Sequence, residues 1–248
     1  MSFRVREEVI DLTDVTKVFK SGEVAVEALR GVSFTVREQE FVAIMGPSGS
    51  GKTTLLGILG CLDRPSTGSY ELVGEEMSTL DETRRARVRG ARIGFVFQAY
   101  NLIPRTNAYK NVELPLIYAG VPAAERKSRV LEALESVGLA DRMHHLPNQL
   151  SGGEQQRVGI ARALVVEPRV ILADEPTGNL DSASAEEVLS ILGNLNEQGA
   201  TIVMVTHSSE VAEHASRVIR FADGLVVADE PTAHTTSAEA IEPVGAIG

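Results

Sequence analysis

Apolar residues fall into distinct rhythms along this chain, and the order of the rhythms predicts the architecture. FVAIM (Phe41 to Met45), VILAD (Val170 to Asp174) and TIVMVTH (Thr201 to His207) are short apolar runs without alternation. Such runs suit strands buried on both faces, as in a parallel sheet. The run LLGILGCL (Leu55 to Leu62) suits a buried helix directly after the first of them. Before it, VIDLTDVTKVF (Val9 to Phe19) and ALRGVSFTV (Ala28 to Val36) are strand-like, with a turn signal at Ser21 to Glu23. They predict an antiparallel β region. Residues 63–77 read as turn, short strand, turn, and ARIGFVF (Ala91 to Phe97) as a strand ending at Gln98.

From about Ala99 to Ala163 the period becomes helical. AAERKSRVLEALESVGL (Ala123 to Leu139) spaces its apolar residues for one helix face, with Pro122 and Gly138 as start and stop signals. Sheet character then resumes. SAEEVLSILGNLNEQG (Ser184 to Gly199) is an amphipathic helix, and VIRFADGLVVA (Val218 to Ala228) holds an Asp-Gly hairpin signal. The expected fold is α/β: a mixed sheet core over 1–98 and 164–228, an N-terminal antiparallel region, and a helical insertion over about 99–163. Residues 229–248 lack aromatics and are rich in Ala, Thr, Glu, Pro and Gly, so a disordered tail is expected there.

Composition narrows the class. The chain has 248 residues, 43% hydrophobic and 23% charged, as in soluble globular proteins. No apolar run approaches the roughly 18 residues of a spanning helix. Acids in MSFRVREEVIDL replace a leader's apolar region, so a cytoplasmic location is expected. The single Cys61 excludes an internal disulfide. A net charge of −10 argues against a nucleic-acid partner. The basic run RRARVRGAR (Arg84 to Arg92) goes against that trend and reads as a solvated helix face or a membrane-surface patch.

The chemistry begins at GPSGSGKTT, Gly46 to Thr54, which fits G-x-x-x-x-G-K-[ST] between a strand and a helix. There the backbone N–H groups of Gly46, Ser48, Gly49, Ser50, Gly51 and Thr54 can converge on phosphate oxygens at a positive helix end. Lys52 adds a point charge, and the Thr53 hydroxyl can ligate Mg²⁺. Asp174 and Glu175 close the VILAD strand, where parallel sheets bind ligands. Asp174 suits the metal, and Glu175 suits a general base acting on water. His207 ends the next strand and suits a hydrogen bond to the terminal phosphate or the attacking water. Ser-Gly-Gly at Ser151 to Gly153 opens a further helix and reads as a second anion site or a plain N-cap. Two phosphate nests in one chain are most simply explained by two copies sharing them.

Taken in order, these segments resemble an ABC-type ATPase, the nucleotide-binding subunit of an ATP-binding-cassette transporter, over about residues 8 to 228. The matching motifs are the P-loop, Gln98, LSGGEQQR (Leu150 to Arg157), VILADE, GNLD (Gly178 to Asp181) and His207. The resemblance implies the P-loop cassette fold and ATP with Mg²⁺ as cofactors. It implies a Gln98 that senses Mg²⁺ and the terminal phosphate and connects to a membrane partner. Phe19 falls where the family stacks an aromatic on adenine; a core aromatic is the other reading. Ser151, Gly152 and Gly153 are implied to contact ATP held by the opposite subunit, and Asp181 to link the two sites. Glu154 stands where the family more often has Gln.

Within the family the likeness is to the lipoprotein-releasing and macrolide-efflux type. It implies an ATP-sandwich homodimer, peripheral on the inner membrane face, driving a separate permease. Residues 99–119 would then form the partner's groove, with Leu102, Ile103, Pro104, Leu114 and Leu116 as candidate contacts. An envelope or cell-division scaffold that moves no cargo stays open, as does a soluble ATPase of translation or repair. A near-repeat of ILADEPT, LVVADEPT at Leu225 to Thr232, places Asp229 and Glu230 in a similar context. Motif order assigns the chemistry to Asp174 and Glu175 instead.

Overall fold

Two sheets of different character carry the chain, and the computed structural model describes residues 6–22 and 24–232 of it. β1 (Glu8–Ser21) and β2 (Val24–Arg37) pair antiparallel, as their patterning predicts. β4 (Thr67–Leu72) and β5 (Glu75–Glu76) extend them into a four-stranded sheet of order β2-β1-β4-β5.

The second sheet has six strands in the order β10-β9-β3-β8-β7-β6. β3 (Phe41–Met45), β6 (Ile93–Phe97), β7 (Val170–Asp174), β8 (Ile202–Thr206) and β9 (Arg217–Ala222) run parallel, and β10 (Leu225–Pro231) returns antiparallel. Its central strands are apolar throughout because both faces are covered. Phe41, Ala43 and Met45 enter one core cluster, while Val42 and Ile44 enter the other. Ile202 and Met204 divide from Val203 and Val205 in the same way.

The antiparallel sheet and α1 (Lys52–Leu59) cover one face. α3 (Ala108–Tyr118), α4 (Ala123–Ser136), α5 (Gly152–Leu164) and α6 (Ser182–Glu197) supply the other cluster. α2 (Glu82–Arg92) leads into β6, and α7 (Ser209–Ala212) follows β8. The chain thus leaves the sheet after β6 and regains it at β7, which is the expected helical insertion.

Three expectations change here. The basic run on α2 is only partly a solvated face, since Arg85 is buried and Arg89 and Arg92 are half-buried. Arg85 is buried and pairs with Glu82, Arg84 and Arg92 reach Glu75, and Arg89 donates to the Cys61 carbonyl at 2.8 Å. Arg84, Arg89 and Arg92 tie α2 to its neighbours, and Arg84 and Arg87 remain exposed on the helix surface. The tail boundary also moves, because β10 runs to Pro231 rather than stopping at 228. The rest of the segment expected to be disordered lies outside the described residues. Finally, Leu116 is fully buried core and not a groove contact.

Candidate active site

Strand order assembles the site. β3, β8, β7 and β6 are consecutive neighbours, so Gly46, His207, Asp174 and Gln98 emerge at one sheet edge. Register aligns them, with Met45 opposite Thr206, Asp174 opposite Val205, and Phe97 opposite Asp174.

The P-loop is built for close approach. Gly51 has φ 104°, and a Cβ there would lie 2.5 Å from the Ala28 carbonyl, so only glycine fits. As N-cap of α1, Gly51 supplies no side-chain cap, and no acid sits in the first turn. The opening N–H groups of α1 therefore keep their capacity for an anion. Lys52 is buried, and its Nζ donates to the carbonyls of Gly46 and Pro47 at 2.6 and 2.8 Å. Ser50 Oγ is buried with no hydrogen-bond partner among the described residues. A phosphate oxygen in the loop would satisfy that orphaned hydroxyl.

Glu175 has φ 44°, a left-handed conformation uncommon outside glycine. Its amide donates to the Val205 carbonyl at 2.9 Å, which fixes the turn to β8. The turn sends the Glu175 carboxylate to His207, whose Nδ1 lies 2.7 Å from Oε1. Strain of this kind is retained where the surroundings over-determine it, often at functional sites. Burial, then the neighbouring Glu175 charge, raises the Asp174 pKa, while Lys52 opposes the shift. A carboxyl with a raised folded pKa adds stability below its unfolded value, and that stability is lost as pH rises through the folded value. Ionised Asp174 therefore destabilises the nucleotide-free protein at neutral pH. Asp174→Asn is expected to raise its Tm at pH 7 while lowering turnover; a lower Tm in calorimetry would contradict the repulsion.

Gln98 lies beside the Asp181 segment. Its Nε2 is 3.4 Å from Asn179 Oδ1, and Asn179 Nδ2 donates to the Gln98 carbonyl at 3.0 Å. A Cβ at Gly178 would approach Gln98 Nε2 to 2.6 Å, so the Gln98 side chain lies directly against that glycine. Asp181 caps α6 by accepting from the Ser184 amide at 3.0 Å and its hydroxyl at 2.8 Å. Gly153 packs on that same Ser184, and Gly152 on the Tyr100 hydroxyl. Phe19 is 46% exposed, so it is not a core aromatic, and Lys17 Nζ sits 5.1 Å from its ring centre.

Ser151 caps α5, accepting from the Glu154 amide at 3.2 Å, while Glu154 Oε2 accepts from the Ser151 amide at 2.8 Å. The N-cap reading of Ser-Gly-Gly is thus observed. Asn179, Tyr100 and Glu154 were given no site role from sequence. The Ser-x-x-Glu spacing of a capping box is the signal that would have found Glu154. Lys52 turns to its own loop rather than to the α5 start.

The second acidic pair is structural. Asp229 receives Arg217 Nε and Nη2, both at 2.6 Å, and Arg217 also donates to Glu40 and the Thr35 carbonyl. Glu230 lies on β10, which borders β9 at the far end of the sheet order from β7. Asp229→Asn is expected to cost about 1–3 kcal/mol of stability by leaving part-buried Arg217 underpaired. Glu230→Gln should leave both Tm and turnover near the parent values, as thermal melts and phosphate-release assays would show.

The P-loop, Asp174 and the Glu175–His207 pair share one sheet edge, the arrangement of a P-loop nucleotide-binding fold. A family model described as ABC transporter matches residues 29–178. A Thermotoga maritima protein named "Uncharacterized ABC transporter ATP-binding protein" is 59% identical over 220 residues, covering 89% of this chain and 94% of that one. The Brucella melitensis macrolide export ATP-binding/permease protein MacB is 54% identical over 220 residues, covering 89% of this chain. The chain spans 34% of MacB's length. A solved dimeric ATP-binding cassette, MJ0796 bound to ADP and Pi, superposes with TM-score 0.82 at 47% identity, over 90% of this chain and 98% of that one. The chain belongs to the ABC transporter family, as one of its ATP-hydrolysing cassettes.

Proposed function

We propose that this cassette hydrolyses Mg-ATP in a head-to-tail dimer of two copies, and that closing the dimer drives a separate membrane permease. The observation that carries the reading is the split of phosphate-binding machinery between the bare start of α1 and the Ser151 start of α5. The two starts are chemically different. The P-loop brings a buried cation and an uncapped helix end, while the α5 start brings a hydroxyl and two glycine amides. The dimer described for the MJ0796 cassette supports the arrangement.

In this reading Lys52 and the P-loop amides hold the phosphates, and Phe19 stacks on the base. Thr53, Gln98 and Asp174 offer the oxygen donors that suit Mg²⁺, and a cation there would favour the ionised Asp174 that burial disfavours. Bound Mg²⁺ would neutralise charge on the terminal phosphates. Glu175 takes a proton from the attacking water as its oxygen joins the terminal phosphorus and the bond to ADP breaks. His207 orients that carboxylate. Ser151, Gly152 and Gly153 of the second copy donate to the same phosphate, and Asp181 couples the two sites.

The permease would dock beside Gln98. An apolar groove there is lined by Leu62, Ile93, Phe95, Phe97 and Pro115, with Arg89 and Arg162 among its walls. Leu62 is 55% exposed, a large apolar side chain that a partner helix would cover. The groove uses β6 and the α1–β4 loop more than the expected 99–119 segment. Among the described residues no helix is long and apolar enough to cross a membrane. Membrane placement would therefore come through the partner, at the inner face. MacB's name joins cassette and permease in one protein, which supports a partner of that kind. Glu175→Gln protein with ATP should capture an integral membrane permease from detergent-solubilised membranes. A ribosomal or DNA-bound catch would overturn the permease reading, and a division-type membrane partner would point to a scaffold.

A further inference from the structure

The two helix starts differ in charge, and that difference needs explaining. α1 carries no acid in its first turn, but α5 carries Glu154. An acid at a helix N-terminus stabilises the helix but repels an anion brought to the same end. At the α5 start that anion would be the terminal phosphate of ATP. Glutamine could complete the same capping box without the charge.

The surroundings of Glu154 offset the cost. Its Oε2 accepts from the Ser151 amide at 2.8 Å, and its Oε1 faces Arg142 Nε at 3.4 Å. Both carboxylate oxygens are thus directed to this chain. The Ser151 amide bond, supported by the Ser151 side chain and the Arg142 and Arg157 charges, holds the Glu154 carboxyl below the usual range against partial burial. Arg157 is itself engaged by Glu187, and Arg142 has a weaker competitor in Asp141 at 3.9 Å. Arg142 is held in place by its backbone. It closes the 3-10 turn Ala140–Arg142, and its carbonyl accepts from the His145 amide at 3.0 Å. Met143 and His145 carbonyls in turn accept from the Tyr109 and Ala108 amides, both at 2.9 Å, at the start of α3. Arg142 Nη1 also lies 3.5 Å from His145 Nε2.

We propose that Arg142 is a positioning residue for ATP hydrolysis: it neutralises Glu154 and pins it to the Ser151 amide, so that a capped α5 start can receive the other copy's terminal phosphate. The inference rests on the two-copy reading above. It assigns Arg142 a role through Glu154, not through contact with nucleotide. It also ties the α5 start to the first turn of α3 through the Met143–His145 carbonyls.

The test is sedimentation velocity of the Glu175→Gln protein against ATP concentration, with Arg142 and Glu154 varied in that background. Arg142→Gln should raise the ATP concentration for half-dimerisation about fivefold, the scale of a helix-end charge interaction. The difference should shrink at high salt. With Glu175 intact, Arg142→Gln should raise KM with little change in kcat. Adding Glu154→Gln to Arg142→Gln should bring half-dimerisation back to within about twofold of the parent, because Gln caps without charge. Arg142→Lys should fall between parent and Arg142→Gln. A double variant no better than Arg142→Gln would overturn the proposal and leave Arg142 a purely structural residue, as would Arg142→Lys matching Arg142→Gln. Should Arg142→Gln fail to fold, Arg142→Lys with and without Glu154→Gln decides: Arg142→Lys should weaken half-dimerisation and added Glu154→Gln should restore it to within about twofold of the parent, and no restoration would overturn the proposal. A parent that binds ATP but stays monomeric would instead sink the two-copy reading, and the proposal with it.

Discussion

Glu175→Gln is expected to lower ATP turnover by about 10²- to 10⁴-fold, the contribution of a positioned general base. Binding of ATP should stay within about twofold of the parent. The geometry explains the separation. Glu175 stands on a left-handed turn at the end of β7, and its carboxylate is bonded to His207 rather than to the P-loop. Glutamine keeps the shape and an oxygen that His207 can meet, but it accepts a proton far more weakly. Phosphate release and calorimetric titration on one preparation would give both numbers. Turnover above a tenth of the parent would remove Glu175 as the base, and a matching loss in Glu230→Gln would move the chemistry to the second acidic pair.

Lys52→Met should act at the other step. The ammonium is buried between the carbonyls of Gly46 and Pro47, so its charge is concentrated at the loop mouth. A bound phosphate would take up one of those donors. A charge-assisted hydrogen bond is worth roughly 1.5–3 kcal/mol. Methionine has a similar length and no donors, so ATP affinity should fall by about ten- to a hundredfold. The two carbonyls would lose a partner, but the loop lies at the surface, where water can replace it, and Tm should move little. Unchanged affinity with lost turnover would mean that Lys52 acts only in the transition state. The two variants together separate binding from chemistry.

Much of this was legible in the sequence because the decisive features are local. A run such as FVAIM needs cover on both faces whatever surrounds it, and the strand–glycine–helix pattern at Gly46 to Thr54 carries its own geometry. The order of Gln98, Ser151, Asp174 and His207 placed the site residues without any distance being known. What escaped depends on where long side chains end. Periodicity shows that α2 has a basic face, but not that Arg85 is buried or that Arg89 reaches the Cys61 carbonyl. It marks residues 99–119 as apolar without telling buried Leu116 from exposed Ile103. Motif order sets Asp229 aside, but it does not show that Arg217, on the neighbouring strand, occupies it. Glu154 reads as a variant letter in a motif, and its partner Arg142 lies outside that motif.

Gly46 to Thr54 alone makes a site for phosphates. The central claim is that this site is half of one, completed by Ser151 to Gly153 of a second copy. Sedimentation velocity of the Glu175→Gln protein with and without Mg-ATP tests it most directly. The account predicts a monomer without nucleotide, a dimer with Mg-ATP, and return to monomer when Ser151→Arg is added. A protein that saturates with Mg-ATP yet sediments as a monomer would contradict it.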